Sequence, residues 1–397
     1  MSNLSQRILN LTESATLAMA RKSRELTQQG LDIISLSLGE PDFNTPDFIK
    51  DAAKKAIDEN FTKYTPVNGY LDLREAISFK FKRDNNLDYS PDQIIVSNGA
   101  KQSIANAVMS LVDDGDEVII PTPFWVSYEE MVKLAGGKCV FIKTTLENDF
   151  KITGEQLKKA ITPKTKLMIY SSPCNPTGSV YGEKELAAIA DIMRANPRLH
   201  VIADEIYEHI NFTGKHLSLA TFSDIKDRVI TVNGVSKGFC MTGWRIGYIG
   251  ASKEIADACN KMQGQITSGT CGIAQKAAKA AVLANPEITI PMRDAFLQRR
   301  DLVLSLLKDI PGVKTNVPTG AFYVFPDISY YFGKKYGETV IRNADDLCMY
   351  ILSEGRVALV TGAAFGEPDC IRISYATSED LLTEAMKRMK DCLSKLA

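Results

Sequence analysis

The chain has 397 residues, of which 45% are hydrophobic and 24% charged, a composition typical of a globular protein with a large buried core. Its 47 basic and 48 acidic residues give a formal net charge of −1, which disfavours nucleic acid and anionic membranes as partners. The eight cysteines form no C-x-x-C pair, which argues against a zinc cage and a disulfide framework. We therefore expect small-molecule partners and reduced cysteines.

The start of the chain carries no recognisable targeting segment. Residues 1–7 lack the apolar stretch of a secretory signal, and no apolar run approaches the length of a membrane-spanning helix. This pattern predicts a cytoplasmic protein without a membrane partner.

The first clear helix signal is Thr45-Pro46, which predicts a cap residue followed by proline at the first helical position. Beyond it, short apolar runs alternate with amphipathic segments. The runs predict strands buried on both faces, at residues 94–96, 118–120, 140–142, 167–170, 201–203 and 229–232. The amphipathic segments predict helices, for example at residues 102–112, 128–135 and 183–194. This order predicts an α/β domain with a mostly parallel sheet flanked by helices.

The pattern changes after Pro291. A long helix is predicted from Met292 to about Leu307, then short strands near 321–325, 357–360 and 371–374, and a last helix from Ser378. We interpret this part as a smaller α+β domain with antiparallel strands. We divide the chain into an N-terminal arm with part of the small domain (1–47), a large domain (48–290) and a small C-terminal domain (291–397).

Polar residues follow four of the predicted strands. They occupy residues 97–101, 171–178, 204–207 and 233–237. Ligands of an open parallel sheet bind beyond the carboxyl ends of its strands, so these four segments predict one shared site.

The residues in these segments suit an aldehyde cofactor, pyridoxal phosphate. Lys237 offers an amine that can bind the aldehyde covalently, and Asp204 a carboxylate that can keep the pyridine nitrogen protonated. Tyr207 and Asn175 offer donors for the ring oxygen. The phosphate would lie at a helix N-terminus formed by the backbone of Gly99 and Ala100, beside the forked cation of Arg245.

With these residues in place, the chain resembles the class I aminotransferases of the aspartate aminotransferase family, fold type I, over nearly its whole length. Among them it is most similar to the Ib-type aspartate aminotransferases. The most specific segment is residues 236–248, S-K-G-F-C-M-T-G-W-R-I-G-Y. Residues 172–178, 204–207 and 39–43 (G-E-P-D-F) support it, in family order.

The resemblance implies roles for individual residues. Lys237 would be the cofactor lysine and proton carrier, Asp204 the partner of the pyridine nitrogen, and Tyr207 and Asn175 the partners of the ring oxygen. Trp125 would stack on the ring, and Arg245 with the amides of Gly99, Ala100 and Lys101 would bind the phosphate. Tyr64 would reach the phosphate of a neighbouring subunit, since the family site lies at a homodimer interface with shared active sites. Arg372 would grip the substrate α-carboxylate, aided by the backbone of Gly39.

One departure from the family pattern is visible. Many relatives carry a phosphate-binding serine three positions before the lysine, where this chain has Gly234. Ser236 or a backbone amide would have to compensate.

The resemblance also implies a reaction. Lys101 matches a lysine that helps to hold the distal carboxylate, with residues 14–16 folding over the substrate. We therefore expect L-aspartate and 2-oxoglutarate to give oxaloacetate and L-glutamate. The alternatives are a glutamate/aspartate-prephenate aminotransferase and an aminotransferase of other amino acids on the same fold.

Each candidate residue also has a purely structural interpretation. Asp204 could cap a helix, Asn175-Pro176-Thr177-Gly178 could be a turn, and Lys101 could be surface charge. Trp125 and Tyr64 could be packing residues, and Arg245 and Arg372 could form surface ion pairs. The three histidines show no metal-ligand spacing, so no metal is predicted.

Functions of other classes are disfavoured. A nicotinamide dehydrogenase needs a G-x-G-x-x-G turn, and the chain contains no such spacing. A cofactor-sensing regulator needs a DNA-binding module, and the segment before Gly39 is too short for one. A lyase or cyclopropane-forming synthase with the same cofactor stays open.

Overall fold

The computed structural model describes residues 3–397. Within them, thirteen α-helices are numbered in chain order: α1 Gln6–Leu9, α2 Ala15–Gln28, α3 Asp47–Asp58, α4 Leu71–Asn85, α5 Ala100–Leu111, α6 Ser127–Leu134, α7 Gly154–Ala160, α8 Glu183–Ala195, α9 Lys253–Ile266, α10 Gly272–Leu283, α11 Ile290–Leu307, α12 Ala344–Tyr350 and α13 Glu379–Leu393. None of the helices in this described range is long and apolar enough to cross a membrane.

The strands of the same range are β1 Ile34–Ser35, β2 Ile94–Ser97, β3 Glu117–Thr122, β4 Lys138–Lys143, β5 Thr165–Ser171, β6 His200–Asp204, β7 Val229–Gly234, β8 Gly247–Gly250, β9 Tyr323–Val324, β10 Lys335–Tyr336, β11 Thr339–Val340, β12 Val357–Ala358, β13 Val360–Thr361 and β14 Ile371–Ser374. The six apolar runs predicted as strands correspond to β2 to β7.

Seven of these strands form the central sheet, in the order β2-β8-β7-β6-β5-β3-β4. The neighbours from β4 to β7 are parallel, whereas β8 is antiparallel to both β7 and β2. Only β8 therefore runs against the others, which confirms the mostly parallel sheet. β8 was not among the predicted strands, because two of its four residues are the glycines Gly247 and Gly250.

Alternate residues of each central strand enter two different hydrophobic clusters. On β6, Val201 and Ala203 pack on the side of α4, α8 and α10. Ile202 of the same strand packs on the side of α5, α6 and α9. Both faces of the sheet are thus covered, which explains why its strands are apolar at successive positions.

A third cluster joins α11, α12 and α13 to short strands. Here β13, β14 and β9 form an antiparallel sheet, as expected, while β1 pairs with β12 in parallel. Ile34 and Leu36 from the start of the chain belong to this cluster.

The start of α3 differs from the prediction. Pro46 is the N-cap, with φ −54° and ψ 144°, and the first helical residue is Asp47. The Thr45 hydroxyl does not cap the helix; it donates a 2.7 Å hydrogen bond to the carbonyl oxygen of Cys240. This contact ties residue 45 to the turn that follows Lys237.

Candidate active site

A cavity of about 430 Å³ lies at the carboxyl ends of the central strands. The segments after β5, β6 and β7 and the start of α5 all contribute to its wall, as the rule for strand ends predicts. Residues predicted for the site that line this cavity are Gly39, Ala100, Lys101, Trp125, Asn175, Asp204, Tyr207, Lys237, Arg245 and Arg372.

Lys237 is partly exposed to the cavity, and its ammonium donates a hydrogen bond to the carbonyl oxygen of Gly39. Burial lowers the pKa of Lys237 to about 8, although the nearby carboxylate of Glu40 acts in the opposite direction. About one tenth of this amine is therefore uncharged at pH 7, far more than for an ordinary lysine, and the uncharged form is the one that a nucleophile requires.

Asp204, the last residue of β6, is buried and turned towards the same cavity. Its Oδ2 accepts a 2.7 Å hydrogen bond from the hydroxyl of Tyr128, and its Oδ1 accepts one of 3.3 Å from the amide of Ile206. Burial raises the pKa of this carboxyl to about 6, against the effect of both donors. The carboxylate is thus positioned to hold a proton on a ligand atom.

The start of α5 forms a cradle with Arg245. Gly99 is the N-cap, with φ +82°, and a Cβ at this position would lie 2.0 Å from Nη2 of Arg245. Arg245 is exposed and donates to the carbonyl oxygens of Thr242 at 2.9 Å and Asn98 at 3.3 Å. A helix N-terminus beside a guanidinium suits an anion such as a phosphate.

Arg372 lies on β14, buried and held by fixed partners. Its Nη1 donates to Oδ1 of Asn175 at 2.9 Å and its Nη2 to the carbonyl oxygen of Ser37 at 2.5 Å. The guanidinium lies 4.6 Å from the ring centroid of Tyr323, and its buried Nε has no hydrogen-bond partner. An unpartnered buried donor of this kind indicates a missing anionic ligand.

Trp125 and Lys101 lie together at one side of the cavity. The ammonium of Lys101 is 5.0 Å from the Trp125 ring centroid. Desolvation of the ammonium and the positive charge of Arg245 lower the pKa of Lys101. Lys101 thus brings a positive charge to the wall of the cavity beside Trp125.

Tyr64 does not line the cavity; its side chain is fully exposed, at 101% of the reference area. Its predicted contact with a neighbouring subunit stays a prediction. Gly234 is packed so closely that a Cβ would lie 2.9 Å from the carbonyl oxygen of Ile246. A serine does not fit there, whereas Ser236 does line the cavity.

Several residues of the site were missed by sequence reasoning. Tyr128 could have been found from the sequence, because it lies three positions after Trp125, and residues at this spacing can face the same way. In the structure its ring contacts Trp125 and its hydroxyl contacts Asp204. Tyr323, whose hydroxyl lies 2.7 Å from that of Tyr207, comes from a distant strand and could not have been found in this way. The carboxylate of Glu40 accepts a hydrogen bond from Thr242. Glu40 lies in the G-E-P-D-F segment, but the family resemblance implies no role for it.

Pyridoxal phosphate fits this set of groups. The amine of Lys237, the carboxylate of Asp204 and the guanidinium of Arg245 line one cavity. Gly99 is not among the lining residues, but its lack of a Cβ leaves space beside Arg245. The unpartnered Nε of Arg372 leaves a donor for a second, anionic ligand.

Comparison with known proteins agrees with this geometry. The family described as "Aminotransferase class I and II" matches residues 31–389. A bifunctional aspartate aminotransferase and glutamate/aspartate-prephenate aminotransferase of Petunia hybrida is 48% identical, over 98% of this chain and 83% of the relative. The aspartate aminotransferase of Bacillus subtilis is 45% identical, over 99% of both chains.

Solved structures give the same result. The aspartate aminotransferase from Rhizobium meliloti superposes with a TM-score of 0.96 at 39% identity, over 100% of both chains. The enzyme from Thermus thermophilus with maleate gives 0.92 at 39% identity, over 99% of this chain and 100% of that one. By its motifs, fold, site geometry and relatives, the chain belongs to the class I and II aminotransferase family.

Proposed function

We propose that the protein is a pyridoxal-phosphate-dependent aspartate aminotransferase, which converts L-aspartate and 2-oxoglutarate to oxaloacetate and L-glutamate. The observation that carries this proposal is the placement of a nucleophilic amine, Lys237, and a buried guanidinium with an unpartnered Nε, Arg372, in one cavity. The names of the relatives support it.

The bound cofactor supplies an electron-accepting ring beside the substrate Cα. Lys237 would hold the cofactor through its amine, and the same amine would move a proton at the substrate Cα. Its pKa of about 8 suits this work because the amine both takes and returns a proton near neutral pH. Asp204 would keep the pyridine nitrogen protonated, Tyr207 and Asn175 would hold the ring oxygen, and Trp125 would cover the ring.

The substrate is held at two ends in this proposal. Arg372 binds the α-carboxylate, since its planar fork matches a carboxylate and its position is fixed by Asn175 and Ser37. The backbone of Gly39 aids this contact. Lys101 binds the distal carboxylate, with the segment from Ser14 to Thr16 at the cavity wall beside it. The solved structure of the Thermus thermophilus aspartate aminotransferase contains maleate, a dicarboxylate, which supports dicarboxylates as the substrate class.

A second candidate function is transamination of prephenate, a larger dicarboxylate with a ring. Leu17 and Leu38 line the cavity and are 56% and 37% exposed, so apolar surface is available near the entrance. Two carboxylate-binding cations and an apolar wall together suit such a substrate. The name of the Petunia hybrida relative, which includes prephenate, favours testing it.

We also propose a homodimer in which Tyr64 reaches the phosphate in the partner's site. The full exposure of this side chain in the single chain supports that proposal. The division at residues 47 and 290 is likewise a proposal, supported by the pairing of β1 with β12; residues 1 and 2 of the arm lie outside the described residues. The cytoplasmic location stays a prediction.

A coupled assay tests the function. Purified protein is given 2-oxoglutarate with L-aspartate, L-alanine or L-phenylalanine, and separately prephenate with L-aspartate or L-glutamate. We expect oxaloacetate to form fastest from L-aspartate. Activity with alanine or phenylalanine that exceeds activity with aspartate would contradict the proposed specificity.

A further inference from the structure

The environment of Asp204 depends on one side chain from another element. Tyr128, on the first turn of α6, is 1% exposed and directs its hydroxyl at Oδ2 of Asp204 from 2.7 Å. The other carboxylate oxygen receives only the amide of Ile206, at 3.3 Å. The Asp204 carboxylate thus accepts two hydrogen bonds in the described chain, and the one from the Tyr128 hydroxyl is the shorter.

Burial of Asp204 makes this hydrogen bond consequential. The carboxyl is 5% exposed, and burial disfavours its charged form. The neighbouring charge of Glu205 acts in the same direction, whereas the ammonium of Lys237 favours ionisation. Cys174, which lies near Tyr128, is buried and its raised pKa keeps it neutral.

Tyr128 has no alternative protonation state in this setting. Burial, together with the charge of Asp204, raises the pKa of its hydroxyl well above the ordinary value. The hydroxyl therefore stays protonated, and it donates to the carboxylate whenever Asp204 is ionised. The edge of Trp125, with ring centroids 5.5 Å apart and planes at 86°, fixes the Tyr128 ring from the cavity side.

We propose that Tyr128 is a positioning residue for the cofactor acid: its hydroxyl holds the Asp204 carboxylate in place and in its ionised form, ready for the pyridine nitrogen. Tyr128 acts through Asp204 and needs no contact with the substrate. The statement that Asp204 faces the pyridine nitrogen of the cofactor rests on the proposed function. The hydrogen bond and its effect on Asp204 do not.

The test is the pH dependence of unfolding of the full-length chain after cofactor removal, for wild type and Tyr128→Phe. Because a hydrogen bond to a charged group favours the charged form, its loss should raise the pKa of Asp204 by about one pH unit or more. The folded pKa, about 6, already exceeds the unfolded value of 3.8. Stability is therefore lost as pH rises through the folded pKa, and a further rise in that pKa deepens the loss.

We expect the stability difference between wild type and Tyr128→Phe to be nearly constant from pH 4 to pH 5. The difference should then widen. At pH 8 the ratio of the two unfolding equilibrium constants should be about ten times its value at pH 4 to pH 5. Lys237 titrates in both proteins, so its own contribution cancels in the difference. In an Asp204→Asn background the widening should disappear.

Tyr350→Phe is the matched control. Tyr350 is 3% exposed and donates a 2.8 Å hydrogen bond to a neutral carbonyl oxygen, that of Cys392. Its loss should cost the same at every pH. The proposal is overturned if the Tyr128→Phe difference is equally independent of pH, or if it still widens when Asp204 is replaced by Asn. Absence of transaminase activity would overturn the proposed function without affecting either result.

Discussion

The guanidinium of Arg372 donates a 2.9 Å hydrogen bond to Oδ1 of Asn175, and this bond joins two separate parts of the fold. Arg372 lies on β14, in the antiparallel sheet, whereas Asn175 follows β5 of the central sheet. Both are buried. The residue proposed to bind the substrate carboxylate is therefore fixed by a residue proposed to bind the cofactor.

This relationship predicts that Arg372→Lys loses activity despite keeping its charge. A lysine cannot contact Asn175, the carbonyl of Ser37 and a carboxylate in one plane. We expect kcat/KM for L-aspartate to fall about 100-fold, as for the loss of charge-assisted hydrogen bonds. Steady-state kinetics measure it, with Arg300→Lys, outside the cavity, as the control. Equal effects of the two substitutions would argue against the proposed role of Arg372.

Lys101 should decide selectivity for dicarboxylates. Removal of its charge in Lys101→Met should lower kcat/KM for L-aspartate about tenfold or more and leave L-alanine within about twofold. The ratio of the two rates is the measurement. Lys133→Met serves as the control, because Lys133 lies on α6 and pairs with Glu129 and Glu130. An equal loss for both substrates would remove Lys101 from substrate recognition.

The lowered pKa of Lys237 predicts how fast the cofactor-free chain captures pyridoxal phosphate. Only the uncharged amine attacks an aldehyde. With a pKa near 8 instead of 10.5, the rate should rise about tenfold from pH 6 to pH 7 and level off above pH 8. Stopped-flow absorbance measures it, with Lys237→Arg as the blank. A rate that still climbs tenfold between pH 8 and pH 9 would show an ordinary lysine.

Behind the site, the buried ammonium of Lys80 pairs with the carboxylate of Glu208. Asn85 contacts both, at 2.8 Å each. Lys80→Met leaves the carboxylate without its cation and should cost about 3–5 kcal/mol in the free energy of unfolding. The double variant Lys80→Met, Glu208→Met should recover much of that loss in denaturant unfolding. If the double variant loses as much free energy of unfolding as the two single variants added together, loss of the ion pair does not explain the instability of Lys80→Met.

The sequence predicted those parts of the site that follow local rules. Asp204 is the last residue of β6, and Lys237 and Asn175 lie in the segments that follow β7 and β5, so the rule for open parallel sheets brings them together. Tyr323 could not be found in this way, because its contact with Tyr207 depends on how β9 packs against the central sheet. The prediction that Thr45 caps α3 was wrong because of a long-range contact: the Thr45 hydroxyl donates a hydrogen bond to the carbonyl oxygen of Cys240, 195 positions away. Tertiary contacts of this kind override capping preferences.

Lys237 is proposed to carry an amino-transfer half-reaction, and a single-turnover measurement tests this role most directly. Purified protein is mixed with L-aspartate in the absence of any 2-oxo acid, while cofactor absorbance is recorded and oxaloacetate is quantified. We expect loss of the aldehyde-form absorbance with about one equivalent of oxaloacetate per bound cofactor, and neither change at a comparable rate in Lys237→Ala. An unchanged spectrum in the wild type, or an equally fast half-reaction in Lys237→Ala, would contradict this role.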